Sequence, residues 1–469
     1  MSDFLDQART FAALPAPWPG DALASIRSAL TAAPHKVWIL DDDPTGTQTV
    51  ADIPVLTHWD TATLRAEFDQ PHAGCFVLTN SRGLSAAASR TLHEELARNL
   101  RTAAEERTFS VISRSDSTLR GHFPLETDVL TEVLGDFDLL LIAPFFEAGG
   151  RYTLNDIHYV AEAGQLVPAA ATPFARDAVF GYRESHLPRW VEAKTAGRIA
   201  AADCRSLPLE TIRGEGPAGV ERTLLAAPSG TVMIVNAVAQ ADMEVVAAGM
   251  LAAEATGRRM LARSAAALVS ARLGQRPPPL LRGPELIHRT PHGGLIVAGS
   301  HVPKTTAQIE RLRARHDLEA IELSVPDLLE PAARAGAVAL ATQRMNDALA
   351  RGQDTLVFTS RELVSAADEA HNLEIGARVS EAVIDVVRGA TAAPRFLIAK
   401  GGITSSDVAT RALGVQRALI QGQIMPGVPV WALGAETRFP GLRLVVFPGN
   451  VGDAEALADT VTKLHSPLS

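Results

Sequence analysis

The chain is expected to form an α/β protein of two domains, each a mainly parallel sheet flanked by helices. Three observations lead there. Short apolar runs alternate with amphipathic stretches almost from end to end, which is the pattern of βα units in parallel sheets. At 469 residues the chain exceeds one ordinary core. A proline-rich break over 274–294 (GQRPPPLLRGPELIHRTPHGG) interrupts the alternation, and Pro277, Pro278 and Pro279 cannot sit in a helix interior. The break divides the chain into an N-terminal domain over 1–275, a linker over 276–293 and a C-terminal domain over 294–469. The alternative is a long surface loop inside one domain.

Strands are expected at 37–40, 75–79, 109–113, 139–143 and 232–236 in the first domain. The second domain has them at 295–298, 356–359, 396–399 and 444–447. Each run is short, rich in β-branched residues and apolar on both faces, as strands covered by helices on both sides are. Residues 85–102, 239–255 and 305–316 carry the spacing of amphipathic helices.

Composition narrows the function. Hydrophobic residues are 46% of the chain and charged residues 21%, a soluble globular balance. A net charge of −9 and a pI of about 5.8 argue against a nucleic-acid partner or an anionic membrane surface. Cys75 and Cys204 are the only cysteines, without a CxxC pair, so a reducing cytoplasm fits. The N-terminal stretch does not read as a signal peptide, and no apolar run approaches a membrane span. A homodimer is compatible with the sequence.

The richest chemistry lies at 37–46, VWILDDDPTG. An apolar strand ends in Asp41, Asp42 and Asp43, and Pro44, Thr45 and Gly46 make a turn. Adjacent carboxylates repel one another, and at the C-terminal end of a buried parallel strand they are expected to face a ligand crevice. There they can hold Mg²⁺, accept a proton or hydrogen-bond hydroxyl groups. The alternative is a solvated acidic turn that caps the next helix. A second loop, 113–121 (SRSDSTLRG), sets Arg114 and Arg120 beside Asp116 and the hydroxyls of Ser115, Ser117 and Thr118. Arginine forks suit carboxylates, and an aspartate among hydroxyls suits a polyol, so together they suggest an acid sugar. A polar loop with a helix N-cap at Ser117 is the alternative. Asn80-Ser81-Arg82 has the same placement after its strand. Residues 144–158 (PFFEAGGRYTLNDIH) bring Glu147, Gly149, Gly150, Arg151 and Asn155, and read either as a structural turn or as a substrate loop. His158 is expected to be structural.

The second domain carries a different signature. Residues 399–404 (AKGGIT) follow an apolar strand and open a helix over 405–413, with Thr404 and Asp407 at capping-box spacing. A Gly-Gly turn there lets backbone N–H groups approach a phosphate. Residues 294–308 (GLIVAGSHVPKTTAQ) repeat the design around Gly299-Ser300, with Thr305 and Gln308 placed to box the next helix, and 447–453 (FPGNVGD) is a third such turn. Plain fold architecture is the alternative. No Gly-Lys dipeptide exists, so a P-loop is excluded, and no G-x-G-x-x-G follows a strand.

In combination these motifs resemble the four-carbon acid sugar kinases, which phosphorylate threonate, erythronate or 3-oxo-tetronate with ATP. That family opens with a strand and A-D-D-x-T-G-A, matched by Asp42, Asp43, Thr45 and Gly46. Its K-x-D-S-T-x-R-G loop is met by 114–121, its Gly-Ser by Gly299-Ser300, its Gly-Gly-x-Thr turn by 401–404, and its late glycine turn by Gly449-Asn450. The chain departs from the pattern at Asp41, Pro44, Thr47 and Arg114. The resemblance implies an interdomain active-site cleft, ATP and Mg²⁺ as cofactors and a small-molecule acid sugar as acceptor. On this reading Arg114 and Arg120, with Arg82, bind the substrate carboxylate side. Asp42, Asp116 and Ser117 take its hydroxyls. Asp43 orients or deprotonates the attacking hydroxyl, expected to be terminal, or contacts Mg²⁺, with Asp116 as the second catalytic candidate. Ser300, Gly401, Gly402, Ile403, Thr404 and Gly449 line the ATP site. A non-catalytic protein that binds acid sugar and nucleotide is the rival reading, motivated by Asp41 and Pro44.

Overall fold

The structure, a computed structural model, describes residues 4–33, 35–299, 302–361 and 369–466. The chain divides into two compact units, Met1–Pro277 and Pro278–Ser469.

The first unit holds β1 (Leu5–Asp6), β2 (Lys36–Asp41), β3 (Pro54–Leu56), β4 (Gly74–Leu78), β5 (Phe109–Arg114) and β6 (Leu139–Ala143). It continues through β7 (Arg151–Leu154), β8 (Ile157–Glu162), β9 (Gln165–Pro168), β10 (Arg205–Leu207), β11 (Thr231–Val235) and β12 (Met260–Ser264). A wholly parallel sheet runs in the order β10-β11-β6-β12-β5-β2-β4-β3. A small antiparallel sheet, β1-β9-β8-β7, stands apart from it. Every residue of β2 and β4 is buried, which is why these runs lack polar alternation.

On one face of the parallel sheet, Trp38, Leu40, Cys75, Val77 and Val111 pack against Leu96 and Leu100. Those leucines belong to the helix Ala86–Ala104, whose start is fixed by Ser85 accepting the Ala88 N–H at 3.3 Å. Each such leucine adds roughly 1.5–3 kcal/mol of burial. Ile142, Val232 and Ile234 face a second cluster that includes Phe123, Tyr182 and Trp190.

Strand order positions the chemistry. The chain leaves β2 for β3 and β4 on one side, then crosses to β5 on the other. That reversal opens a crevice at the C-terminal ends of β2, β4 and β5. The acidic run, Asn80-Ser81-Arg82 and the loop 114–121 all begin there. The five strands expected in this unit are present. The small sheet, β3, β10 and β12 lie outside the expected strands: β3 and β10 have three residues each, β12 (MLARS) ends in Arg263 and Ser264, and β8 carries His158 and Tyr159, so none is a long, uniformly apolar run.

The second unit contains β13 (Leu295–Ala298), β14 (Glu319–Leu323), β15 (Thr355–Thr359), β16 (Leu397–Lys400), β17 (Arg417–Met425), β18 (Val428–Leu433) and β19 (Arg443–Phe447). β19-β16-β13-β15-β14 is parallel, and β17 and β18 add an antiparallel edge beside β19. Ile296, Ile398, Val445 and Phe447 fill its core with Ile309, Leu312 and Leu457.

Two expected helix starts are corrected. The helix after β16 begins at Gly402 and not at Ser405, with Gly401 (φ +114°) as its cap, and passes into a π-helical turn at Val408–Ala412. Gly401 makes this early turn possible, because positive φ costs glycine little. Thr404 therefore lies inside the first turn and does not cap it. The helix Pro303–Arg315 likewise begins at Pro303, a favoured first position for proline, so Thr305 and Gln308 do not cap it. Among the described residues no helix is long and apolar enough to cross a membrane.

Candidate functional site

The three adjacent carboxylates are held together by arginines. Arg114 Nη1 lies 2.9 Å from Asp41 Oδ1 and 3.7 Å from Asp42 Oδ1. Arg82 forks onto Asp42, with Nη2 2.5 Å from Oδ1 and Nε 3.1 Å from Oδ2, and reaches Asp43 Oδ2 through Nη1 at 3.3 Å. Gly46 is required beside this cluster, because a Cβ there would collide with the Asp41 carboxyl and the Arg114 guanidinium. Side-chain exposure separates the acids: 1% for Asp41 and 2% for Asp42, but 21% for Asp43. Only Asp43 can offer an oxygen to an incoming molecule without rearrangement.

Protonation follows the same division. Burial raises the Asp41 carboxyl to about 7, against the pull of Arg114. Burial would raise Asp43 too, but Arg82 and the hydrogen bonds from Thr45 outweigh it and hold the carboxyl below the usual range. Asp43 Oδ1 accepts the Thr45 N–H at 2.8 Å and caps the 3₁₀ turn Pro44–Thr49. It thus caps a turn, as the structural alternative required, while its second oxygen faces Arg82.

The Asp116 loop completes the crevice. Burial opposes ionisation of Asp116, and the charges of Arg82 and Arg120 overcome it, so the carboxyl stays well below the ordinary range. Arg120 Nε donates to Asp116 Oδ2 at 2.7 Å, Thr118 Oγ1 donates to the same oxygen, and Asp177 Oδ2 lies 3.6 Å from Arg120 Nη1. Buried Leu119 adopts φ +69°, a conformation rare for a bulky residue and held by its surroundings. No helix starts at Ser117; the next begins at Leu125. Ser117 is half-buried in this loop. Arg82 is steadied from behind: His122 Nε2 lies 3.1 Å from the Ser81 carbonyl, and Ser81 Oγ donates to Glu126 Oε1 at 2.6 Å.

The small sheet and the segment that follows it clamp the same loop. Tyr182 Oη donates to the Thr118 carbonyl at 2.8 Å. His158 Nε2 donates to the Ser117 carbonyl at 2.8 Å, and its Nδ1 meets Thr153 Oγ1 at 3.0 Å. Burial lowers His158 to about 4, whereas an exposed histidine titrates near 6.5. Between those values the unfolded chain binds more protons than the folded one. The contribution of His158 to stability is therefore full above about pH 6.5 and declines toward pH 4. We expect the thermal midpoint of the wild type, measured relative to that of His158→Gln, to fall from about pH 6.5 to about pH 4; an equal slope in both proteins would acquit His158.

In the second unit, the turn after β19 has its carbonyls turned inward. Lys400 Nζ, fully buried, donates to Pro448 O at 2.5 Å and Gly449 O at 3.2 Å, and lies 4.4 Å from the Phe447 ring centre. Lys304 Nζ donates to Asn450 O at 3.1 Å, Thr305 Oγ1 to Gly449 O at 3.3 Å, and Gln308 Nε2 to Val451 O at 3.0 Å. This is what Thr305 and Gln308 do in place of capping. Among the described residues the N–H groups of Gly449, Asn450, Val451 and Gly452 find no acceptor. Such a concavity of free N–H groups suits an anion. Burial and nearby Lys304 lower Lys400 to about 7. Gly299 packs against Thr404, whose Oγ1 would lie 2.8 Å from a Cβ at 299. Ile403 is 61% exposed, a rare free apolar side chain beside this turn. Ser300 lies outside the described residues.

Asp42, Asp43, Arg82, Arg114, Asp116, Ser117 and Arg120 thus share one crevice in the first unit, and Gly401, Gly402, Ile403, Thr404 and Gly449 share one strand edge in the second. Arg114 is buried against Asp41, a position the sequence alone did not indicate. Two further residues of these sites carry little signal in the sequence: Arg263 on β12, whose Nη2 donates to the Arg120 carbonyl at 3.0 Å, and Lys400, marked only by its place before Gly401-Gly402.

Comparison with known proteins adds to this geometry. Residues 37–272 match a family model described as a sugar-binding N-terminal domain, and residues 295–457 match a nucleotide-binding C-terminal domain. A D-threonate kinase of Bordetella bronchiseptica is 30% identical over 168 residues, 36% of this chain and 36% of that protein. A 3-oxo-isoapionate kinase of Paraburkholderia graminis is 30% identical over 173 residues, 34% of this chain and 36% of that protein. The matched stretch therefore spans well under half the length of either relative. A Salmonella typhimurium LT2 structure described as a candidate tRNA synthase has a TM-score of 0.66 at 18% identity, covering 92% of this chain and 99% of its own. A Haemophilus influenzae protein of family DUF1537 has a TM-score of 0.61 at 18% identity, covering 91% and 100%. At that identity the two structures speak to fold alone.

Proposed function

The chain belongs to the four-carbon acid sugar kinase family, and from that premise we propose that it transfers the terminal phosphoryl group of ATP to a hydroxyl, the terminal one, of an acid sugar such as threonate, erythronate or 3-oxo-tetronate. One observation carries the reading: an ionised, solvent-reaching Asp43 stands among paired arginines and aspartates at the switch point of a sugar-binding domain. Phosphoryl transfer asks for positioning and charge neutralisation more than covalent chemistry, and this crevice is built for both.

Asp43 accepts the hydrogen bond of the attacking hydroxyl and so aims its oxygen. Held below the usual carboxylate range, it is a weak base and a better orienting group. Asp116, ionised for the same reason, and Ser117 bind further hydroxyls. Asp42 acts through Arg82, whose fork keeps the crevice in shape. The N–H groups of 449–452 and the turn 401–404 receive phosphate oxygens, and Ile403 offers an apolar contact.

Bound ATP supplies the phosphoryl group, and Mg²⁺ neutralises its charge. Among the described residues no three His, Cys, Asp or Glu side chains are grouped to hold a metal. Mg²⁺ at phosphates commonly takes one or two carboxylates with water, so Asp43 alone fits that need.

The test is ADP release from Mg·ATP with D- and L-threonate, D- and L-erythronate and their 3-oxo forms. Release with one acid is the expected result and names the acceptor. Acid binding without release across the panel would favour the non-catalytic reading.

A further inference from the structure

We infer that Arg151, seated on Phe174 beside Arg120, receives the carboxylate of the substrate in the first unit, in place of Arg114. The inference rests on the acid-sugar reading above and names the recognition group within it.

The argument is a matching of charges. Arg82 is held by Asp42 and Asp43, Arg114 by Asp41 and Asp42, and Arg120 by Asp116 and Asp177. Arg263 gives a hydrogen bond to the Arg120 carbonyl and lies over the Phe123 and Trp190 rings at 5.3 and 5.2 Å. Arg151 differs from all of these. Among the described residues its side chain makes no hydrogen bond and no ion pair; its Nε is buried without a partner, as are those of Arg114 and Arg263. Its Nη1 and Nη2 reach solvent, so the half-buried guanidinium presents an open fork with no protein acceptor competing for it. Burial lowers its proton affinity, and Asp116 pulls the other way, so Arg151 feels the same field as the crevice.

Its place is also fixed. The Phe146 and Arg151 backbones exchange two hydrogen bonds of 2.9 Å, which close the loop over Gly149 and Gly150. Gly150 turns there with φ +71°, and its carbonyl accepts the Ala161 N–H at 2.7 Å. Phe174 supports both cations, with Arg120 Cζ 5.3 Å and Arg151 Cζ 5.2 Å from its ring centre. Stacking leaves the in-plane N–H fork of a guanidinium open to a carboxylate. Arg114, with 6% side-chain exposure and an aspartate already in contact, has no such opening.

The experiment compares the acid found active in the ADP assay with its primary amide, which keeps every hydroxyl and loses the charge. Wild type is expected to favour the acid strongly. Arg151→Met should raise the KM for the acid about 100-fold, the worth of a charged bidentate contact, and abolish the preference over the amide. The KM for ATP should stay unchanged, which also reports an intact fold. Arg151→Lys should restore part of the preference, since it returns the charge without the fork. A preference for acid that survives in Arg151→Met would overturn the inference and return the role to another arginine. A wild type silent on every acid would overturn the kinase reading and this inference with it.

Discussion

Asp43→Asn is expected to lower kcat about a thousandfold, in the range that positioned proton acceptors contribute, and to leave the KM for ATP nearly unchanged. The variant is close to isosteric and keeps the Oδ1 acceptor that caps Thr45, so the fold should hold. What it loses is the negative charge and the second carboxylate oxygen, at the one acid of the run that reaches solvent. A magnesium titration divides the two roles. If the carboxylate mainly holds the metal, raising Mg²⁺ recovers part of the rate. If it mainly aims the hydroxyl, the rate stays low at every Mg²⁺ concentration. Turnover equal to wild type would remove Asp43 from the mechanism.

Arg114→Met should cost about 3–5 kcal/mol of stability at pH 8, because it strands a buried carboxylate. The loss should depend on pH in a defined sense. In the wild type Asp41 holds its proton up to about pH 7, well above its unfolded value. The folded state then binds the extra proton, so the contribution of Asp41 to stability declines as pH rises from about 4 to 7 and levels off beyond. Without Arg114 the carboxyl keeps its proton to higher pH, and the decline continues. The gap between the proteins should widen by about 1.4 kcal/mol per pH unit above 7. Adding Asp41→Leu should recover most of the loss, since an apolar pair of similar volume replaces an ion pair without a stranded charge. Urea unfolding at pH 6, 7 and 8 measures all three proteins. Parallel losses at pH 7 and 8 would mean that Asp41 does not titrate as described.

Much of the site could be read before any fold was known. The strand that stops at Asp41, the loop that opens at Arg114 and the turn at Gly401 are local events, each an apolar run meeting polar residues or glycine. Less could be read of what those residues hold. Thr305 and Gln308 have the spacing of a capping box, but they bind carbonyls of a turn 143 or more residues away. Arg114 and Arg120 look alike in one short motif, yet one is buried on Asp41 and the other spans Asp116 and Asp177. The antiparallel strands around His158 are not legible because each is only four to six residues long and mixes polar with apolar residues without a regular period (RYTL, IHYVAE, QLVP).

The parallel α/β class and the identity of the loops that carry chemistry are legible in the residues alone. Both follow from hydrophobic periodicity, which is set residue by residue according to which faces are buried. Which cation neutralises which carboxylate, which arginine is left without a partner, and which way the carbonyls after β19 point are settled by the folded chain. Those outcomes depend on strand order, which sets Arg82 against Asp42 across 40 residues and Arg263 against Arg120 across 143. No local pattern encodes a contact at that separation, because its energy exists only once the sheet has brought the strand ends together.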